Sequence, residues 1–261
     1  MNQPLSMPLD IRLINATSTV LIAVFAILVT GALVTWALRA PWFSISGIVV
    51  TGEVSHNNAL TLKANVAPRL VGSFFTLDLA RAKQAFESVP WIRVAVVKRE
   101  FPNRLHVNLR EHQAAAYWGP ENESRLVNSF GEVFEANVDE VEQDLLPRLH
   151  GPDGQAAQVL ATYRALKPLF ENLNLELDQL ELSGRGGWVS RLDTGAVLQL
   201  GRGSVDEVKA RTLRFLTTLS QVSAQHGRKP EALESADLRH EGGYAIRLRG
   251  VTTTVLPSPR K

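Results

Sequence analysis

The sequence predicts an α+β protein. One apolar helix near the N-terminus can span a bilayer, and it is followed by a body of two units: the first reads strand, helix, helix, strand, strand, and the second is a mixed β unit carrying two longer helices. Three observations lead there. Residues 13–38 carry no charge. Two stretches around Pro102 and Asn103 place apolar residues at every second position, as a hairpin with one buried face does. Beyond Leu177, short apolar runs are punctuated by glycines and end at Ser204 and Glu207, a capping box that opens a helix.

From Val20 to Leu38 the chain is almost wholly apolar (VLIAVFAILVTGALVTWAL). At about 1.5 Å per residue this run covers the roughly 30 Å hydrocarbon core. Trp36 and Trp42 stand where interfacial aromatics belong, and Arg39 can reach the headgroups. The run exceeds a signal-peptide core, and the nearest small residue, Ala40, is followed by Pro41, so an uncleaved anchor is expected. Arg12 and the α-amino group on one flank compete with Asp10 there and with Arg39 on the other, so charge votes weakly on orientation. A short tail before the span and the whole body after it are the layout of a signal anchor. The tail is expected in the cytoplasm and the body in the periplasm.

In the body, Phe43 to Val50 reads as a strand ending at a turn on Thr51 and Gly52. Asn58 to Leu70 reads as a helix with Leu60, Leu62, Val66, Ala67 and Leu70 on its apolar side. Asp78 is an N-cap for a second helix through Glu87, stopped by Pro90. In the hairpin, Ile92, Val94 and Val96 alternate with Arg93, Ala95 and Val97, and Leu105, Val107 and Leu109 with His106, Asn108 and Arg110. A second hairpin joins Arg125–Val127 to Glu132–Glu135 through Asn128, Ser129, Phe130 and Gly131. A helix is expected from about Gln155 to Leu173, with Pro168 kinking or breaking it. Strands follow at Leu177–Leu182, Gly187–Leu192 and Ala196–Leu200, then a helix from Ser204 to about Gln225, and strands at Asp237–Arg239 and Gly243–Leu248. Thr252 to Lys261 reads as a frayed tail. No internal repeat emerges.

Composition narrows function by exclusion. A formal net charge of +2 over 261 residues, with no strongly polarised segment, argues against a nucleic-acid partner. The absence of cysteine removes thiolate nucleophiles and sulfur-ligated zinc. Only His106 and His112 could share a strand face, without a recognisable third metal ligand. The glycines at Gly184–Gly187 and Gly201–Gly203 match neither phosphate-binding spacing and read as turns at strand ends. There is no G-x-S-x-G elbow, and Asp139 with Glu140 reads as solvated surface. No enzyme, cofactor or metal is expected.

Four stretches together are similar to the bacterial cell-division family FtsQ, called DivIB in Gram-positive relatives. The first is Pro90, Trp91, Ile92 with Val94, Val96, Arg99, Phe101, Pro102, Leu105, Val107, Leu109 and Glu111, followed by Tyr117 and Trp118. The second is Leu146, Pro147, Leu149, Gly151, Pro152 and Gly154. The third is Leu198, Leu200, Gly201 and Arg202, and the fourth is Asp237, Leu238, Arg239 with Gly243, Tyr244 and Ala245. Two positions depart from the pattern. His240 stands where tyrosine is frequent, and Ala114 or Ala115 where proline is frequent.

The resemblance implies a cytoplasmic tail (1–18), the span (19–39, in contact with the lipid bilayer), a POTRA domain (43–112), a β domain (113–250) and a flexible tail (251–261). It implies a non-catalytic scaffold of the inner membrane at the division septum that links early and late division proteins. Its expected partners are FtsB, through it FtsL, and other divisome membrane proteins. Physically, a last strand at Gly243–Leu248 would leave unpaired N–H and C=O groups to which a partner strand can add. The expected partner-binding residues are Arg202, Arg239, His240, Glu241, Gly242, Gly243, Tyr244, Ala245, Ile246 and Leu248. Two alternatives stay open: Tyr244 and Ile246 as core residues of an interior strand, and Arg239 paired within the chain to Asp237 or Glu241. POTRA domains also serve polypeptide transport and envelope assembly, which makes a docking module of that kind the rival function.

Overall fold

The computed structural model describes residues 9–38, 43–120, 122–123, 125–137, 141, 146–240 and 242–251. The expected roles of Arg39 and Trp42, of Glu241 and of the tail 252–261 lie outside the described residues. The chain divides into two compact units, Met1–Glu111 and His112–Lys261.

Helix α1 (Leu9–Leu38) opens the first unit, and its stretch Leu13–Ala37 is long and apolar enough to cross a membrane. None of that stretch is buried against the rest of the protein. Its threonines turn their hydroxyls back onto the helix, Thr19 to the Asn15 carbonyl (2.8 Å), Thr30 to Ala26 (2.7 Å) and Thr35 to Ala32 (2.9 Å). That satisfies them without water, as an apolar surrounding requires.

The rest of the first unit is a three-stranded sheet under two helices. Strands β1 (Gly47–Glu53), β2 (Ile92–Glu100) and β3 (Arg104–Glu111) lie in the order β1-β3-β2, with β1 parallel and β2 antiparallel to β3. Helices α2 (Ala59–Val66) and α3 (Leu79–Glu87) start where Asn58 and Asp78 cap them, Asn58 accepting from the Thr61 N–H at 2.8 Å and Asp78 from Ala80 at 2.8 Å. Leu62, Val66, Ala82, Ala85 and Phe86 bury themselves on Ala95, Leu105, Val107 and Leu109.

Three local expectations are corrected here. The helix foreseen to Leu70 stops at Val66 and passes into a 3-10 turn, Ala67–Arg69, because Pro68 lacks the N–H that would continue it. In β2 the foreseen inward face is wrong beyond Ile92: a bulge between Ile92 and Val94 transfers the inward face to Ala95 and Val97, and Val96 is left 44% exposed. Strand β1 begins at Gly47 and runs through Thr51 and Gly52 instead of turning there. Gly52 opposes Leu109, and a Cβ on it would stand 2.0 Å from the Leu109 carbonyl oxygen at φ +112°. It is a close approach of two backbones, which no other residue permits.

Among its described residues, the second unit forms one nine-stranded sheet. Its strands are β4 (Ala114–Trp118), β5 (Arg125–Asn128), β6 (Val133–Glu135), β7 (Arg148–His150), β8 (Leu177–Leu182), β9 (Gly187–Leu192), β10 (Val197–Arg202), β11 (Leu233–Asp237) and β12 (Ala245–Leu248). They lie in the order β12-β11-β10-β9-β8-β7-β4-β5-β6. Helix α4 (Ala156–Glu171) packs on β7 and β8, helix α5 (Val205–Gln225) packs on β10, and the two helices touch. Trp118, Trp188, Phe170 and Phe215 are fully buried in the core between sheet and helices. The capping box at Ser204 and Glu207 forms as expected. Pro168 does not break α4: it sits on the exposed side, while Leu166 and Phe170 hold both flanks of the helix in the core. The strand expected at Asp237–Arg239 lies earlier, at Leu233–Asp237, and the last strand begins at Ala245 rather than Gly243.

Replacing Gly52 with Ala should destabilise the first unit by roughly 2–4 kcal/mol, the sum of backbone strain and overpacking. Chemical denaturation measures it. A midpoint equal to that of the unchanged protein would contradict the close approach.

Candidate partner-binding edge

Among the described residues, strand β12 is the last in the sheet order, with β11 on one side only. Pairing with β11 is antiparallel: Asp237 opposes Ala245, Ala236 opposes Ile246 and Ser235 opposes Arg247. The Arg249 N–H donates to the Ala232 carbonyl at 2.8 Å. By the alternation of a strand, the N–H and C=O groups of Ile246 and Leu248 then point away from β11. The Leu248 carbonyl accepts from the N–H of Val251 across a tight turn, at 3.2 Å.

Side chains alternate with the backbone. Tyr244, Ile246 and Leu248 turn toward α5 and the core, while Ala245 and Arg247 are exposed. The Tyr244 ring meets Phe215 edge-on at 5.0 Å between centroids, and its hydroxyl is 2.6 Å from that of Thr218, both on α5. Residues Val197, Gln199, Ser235, Asp237, Ala245 and Arg247 line a shallow groove of about 340 Å³ beside the edge.

The cations expected at the site are positioned by their own chain. Arg239 grips Asp237 with two bonds, Nε to Oδ1 at 2.9 Å and Nη2 to Oδ2 at 2.5 Å. That side-chain hydrogen bond holds the Asp237 carboxyl down at about 2 and raises the Arg239 guanidinium further. Arg239 also runs across Gly201, where a Cβ would meet its Cγ at 3.3 Å and the Arg211 Nη1 at 2.9 Å. Gly201 is therefore not the strand-end turn expected of it: it lies inside β10, at a bulge, with φ +84°. Its missing side chain lets Arg239 and Arg211 reach the end of β10, where Arg211 donates to the carbonyls of Leu200 and Arg202.

The structure thus gathers Arg239, Tyr244, Ala245, Ile246 and Leu248 around the outer two strands. Arg202 is exposed on β10, two strands in, and next to the Gly201 that Arg239 crosses. His240, Gly242 and Gly243 are exposed on the connection between β11 and β12, and among the described residues no side chain approaches the space above either glycine. Sequence reasoning missed Arg247, which is exposed on β12 with Nη1 3.7 Å from Glu234, and missed Phe215 and Thr218, which seat Tyr244. The alternation of Tyr244, Ile246 and Leu248 was a usable signal for Arg247. The two histidines weighed as metal ligands bond elsewhere, His106 to Thr51 (3.1 Å) and His112 to Asn128 (2.9 Å).

Two family models match the chain. "POTRA domain, FtsQ-type" covers residues 43–112, and "Cell division protein FtsQ/DivIB, C-terminal" covers residues 116–239. The chain is also 35% identical to the cell division protein FtsQ of Thiomonas arsenitoxydans, over 95% of its own length and 91% of the relative's. The corresponding protein of Burkholderia pseudomallei is likewise 35% identical, over 93% and 94%. The chain belongs to the FtsQ/DivIB family of cell-division proteins. The C-terminal FtsQ model ends at Arg239, so β12 lies just beyond the matched range, while the whole-chain relatives extend the likeness over nearly all of it.

Because the folded Asp237 pKa lies below its ordinary value of 3.8, its clasp contributes fully above that value and is lost as pH falls toward about 2. A carboxyl-carbon NMR titration should place Asp237 near 2 in the unchanged chain and back in the ordinary range in Arg239→Ala. Equal midpoints in the two proteins would contradict the clasp.

Proposed function

We propose that the chain is a non-catalytic scaffold of the inner membrane that brings septal partners together by accepting a partner strand along β12. Helix α1 anchors it, the N-terminal tail is cytoplasmic, and the body works in the periplasm at the division septum. The partner is the periplasmic segment of FtsB, itself coupled to FtsL, with other divisome membrane proteins gathered around them. Family membership supports the setting. The observation that carries the mode of binding is the one-sided pairing of β12, with Ile246 and Leu248 offering their main-chain groups outward.

Within this mode, main-chain hydrogen bonds supply the pairing. The small exposed Ala245 admits a neighbouring backbone, and Arg247, which lines the groove, offers positive charge for partner carboxylates. Tyr244 acts from behind, fixing β12 to α5 so that the edge is presented ready-made.

Ile246→Pro removes one outward donor from the side of β12 away from β11, and Ile246→Ala, which loses the same packing on the core and keeps that donor, is its reference. Binding of the FtsB periplasmic segment to the full-length chain, followed by calorimetry, should weaken about tenfold, in line with one lost hydrogen bond of about 1.4 kcal/mol. Unchanged affinity with an unchanged unfolding curve would exclude strand addition at this edge.

A further inference from the structure

One end of the first unit carries three apolar side chains that its core does not use: Val71 is 80% exposed, Phe75 45% and Phe101 84%. They belong to the same end. The Phe43 carbonyl accepts from the Phe74 N–H at 2.7 Å, and the rings of Phe43 and Phe75 meet edge-on at 5.1 Å. The Ser46 N–H donates to the Asn103 carbonyl at 2.9 Å, which ties the start of β1 to the turn that bears Phe101. The Arg99 guanidinium donates to the carbonyls of Phe74 and Leu77, both at 2.6 Å, and so fastens the 71–77 loop to that turn.

This is also the end at which the chain enters the domain from α1. Only residues 39–42 separate Leu38 from Phe43, a reach of at most roughly 18 Å. The apolar run Val20–Leu38 is about 28 Å long, close to the thickness of the hydrocarbon, so Leu38 stands at its boundary. The three exposed side chains are therefore tethered beside the headgroup layer, where aromatic residues concentrate. A tether this short keeps the lipid surface in reach at all times, an advantage that no free partner has. Arg104, exposed at the start of β3, adds a cation at the same end for anionic headgroups.

We propose that this end of the first unit rests in the headgroup layer of the bilayer that α1 crosses, with Phe101, Phe75 and Val71 as its apolar contacts. The domain is then a lipid-bound body rather than one swinging freely on a tether. The inference rests on α1 spanning the bilayer, and the opposite end of the same domain supplies a built-in comparison. There the Glu111 carboxylate accepts from the backbone N–H groups of Ser55, His56 and Asn57, and Leu60, 81% exposed, follows that loop. The seven residues of β1 set the two ends about 20 Å apart.

The sequence contains no cysteine, so single spin labels can be placed on the full-length chain at Phe101→Cys, Val71→Cys, Leu60→Cys and Leu28→Cys. In nanodiscs of phosphatidylethanolamine and phosphatidylglycerol, collision with oxygen reports lipid and collision with a water-soluble nickel chelate reports solvent. The labels at 101 and 71 should gain oxygen and lose nickel collisions relative to 60, and the label at 28 should be lipid-deep. The Val71→Cys chain keeps Phe101, so it reads the surface with that ring in place. Labels at 101 and 71 that match 60 while 28 is deep overturn the proposal alone. A water-exposed 28 overturns the span and the proposal together. Labels at 101 and 71 shielded from both reagents assign the surface to a protein, such as a second copy, and overturn the lipid assignment.

Discussion

Four residues paired on one side make few hydrogen bonds, and β12 holds its place because its inward side chains are seated on α5 and the core. Leu248 is buried, Ile246 packs against the core, and Tyr244 places its ring on Phe215 and its hydroxyl on Thr218. A strand so anchored presents its outer N–H and C=O groups in fixed directions, and an incoming strand meets an edge that costs little to order. Without that seat, the connection from His240 to Tyr244, with its two unencumbered glycines, would have nothing to stop β12 from leaving the sheet.

The arginines around this edge are already engaged. Arg239 is clasped to Asp237, Arg211 braces the end of β10, and Arg247 lies near Glu234. A partner carboxylate would have to compete with these internal acceptors, so exposed charge contributes direction and selectivity more than affinity. On the proposed mode, main-chain pairing and the small apolar surface at Ala245 would be the sources of binding strength.

Much of this was readable in the residues, and the failures have physical causes. Strand β3 shows the foreseen alternation because it is the central strand, with neighbours on both sides and a core on one face. Strand β2 has a similar pattern, but a bulge after Ile92 shifts its inward face, and apolar residues on both parities hid the shift. Gly52 and Gly201 were read as turn glycines. Both lie within strands, where the space they leave is taken by Leu109 in one case and by Arg239 and Arg211 in the other, neighbours that meet them only once distant segments come together. At the edge, the run Gly243–Leu248 located the strand to within two residues. The sequence left open whether Tyr244 faces the core or a partner, because the answer depends on Phe215 and Thr218, some 26 to 29 residues away in the chain.

Two features of the chain have the same consequence for assembly: α1 brings the protein to the membrane, and the sheet ends in an edge that a second chain can extend. The claim that this edge is used as a strand template is tested most directly by hydrogen exchange at single amides. The N–H groups of Ile246 and Leu248 should exchange quickly in the chain alone and become strongly protected when the FtsB periplasmic segment is bound, while Arg247, already turned to β11, changes little. Protection that appears elsewhere, with Ile246 and Leu248 still exchanging freely in the complex, would contradict the account.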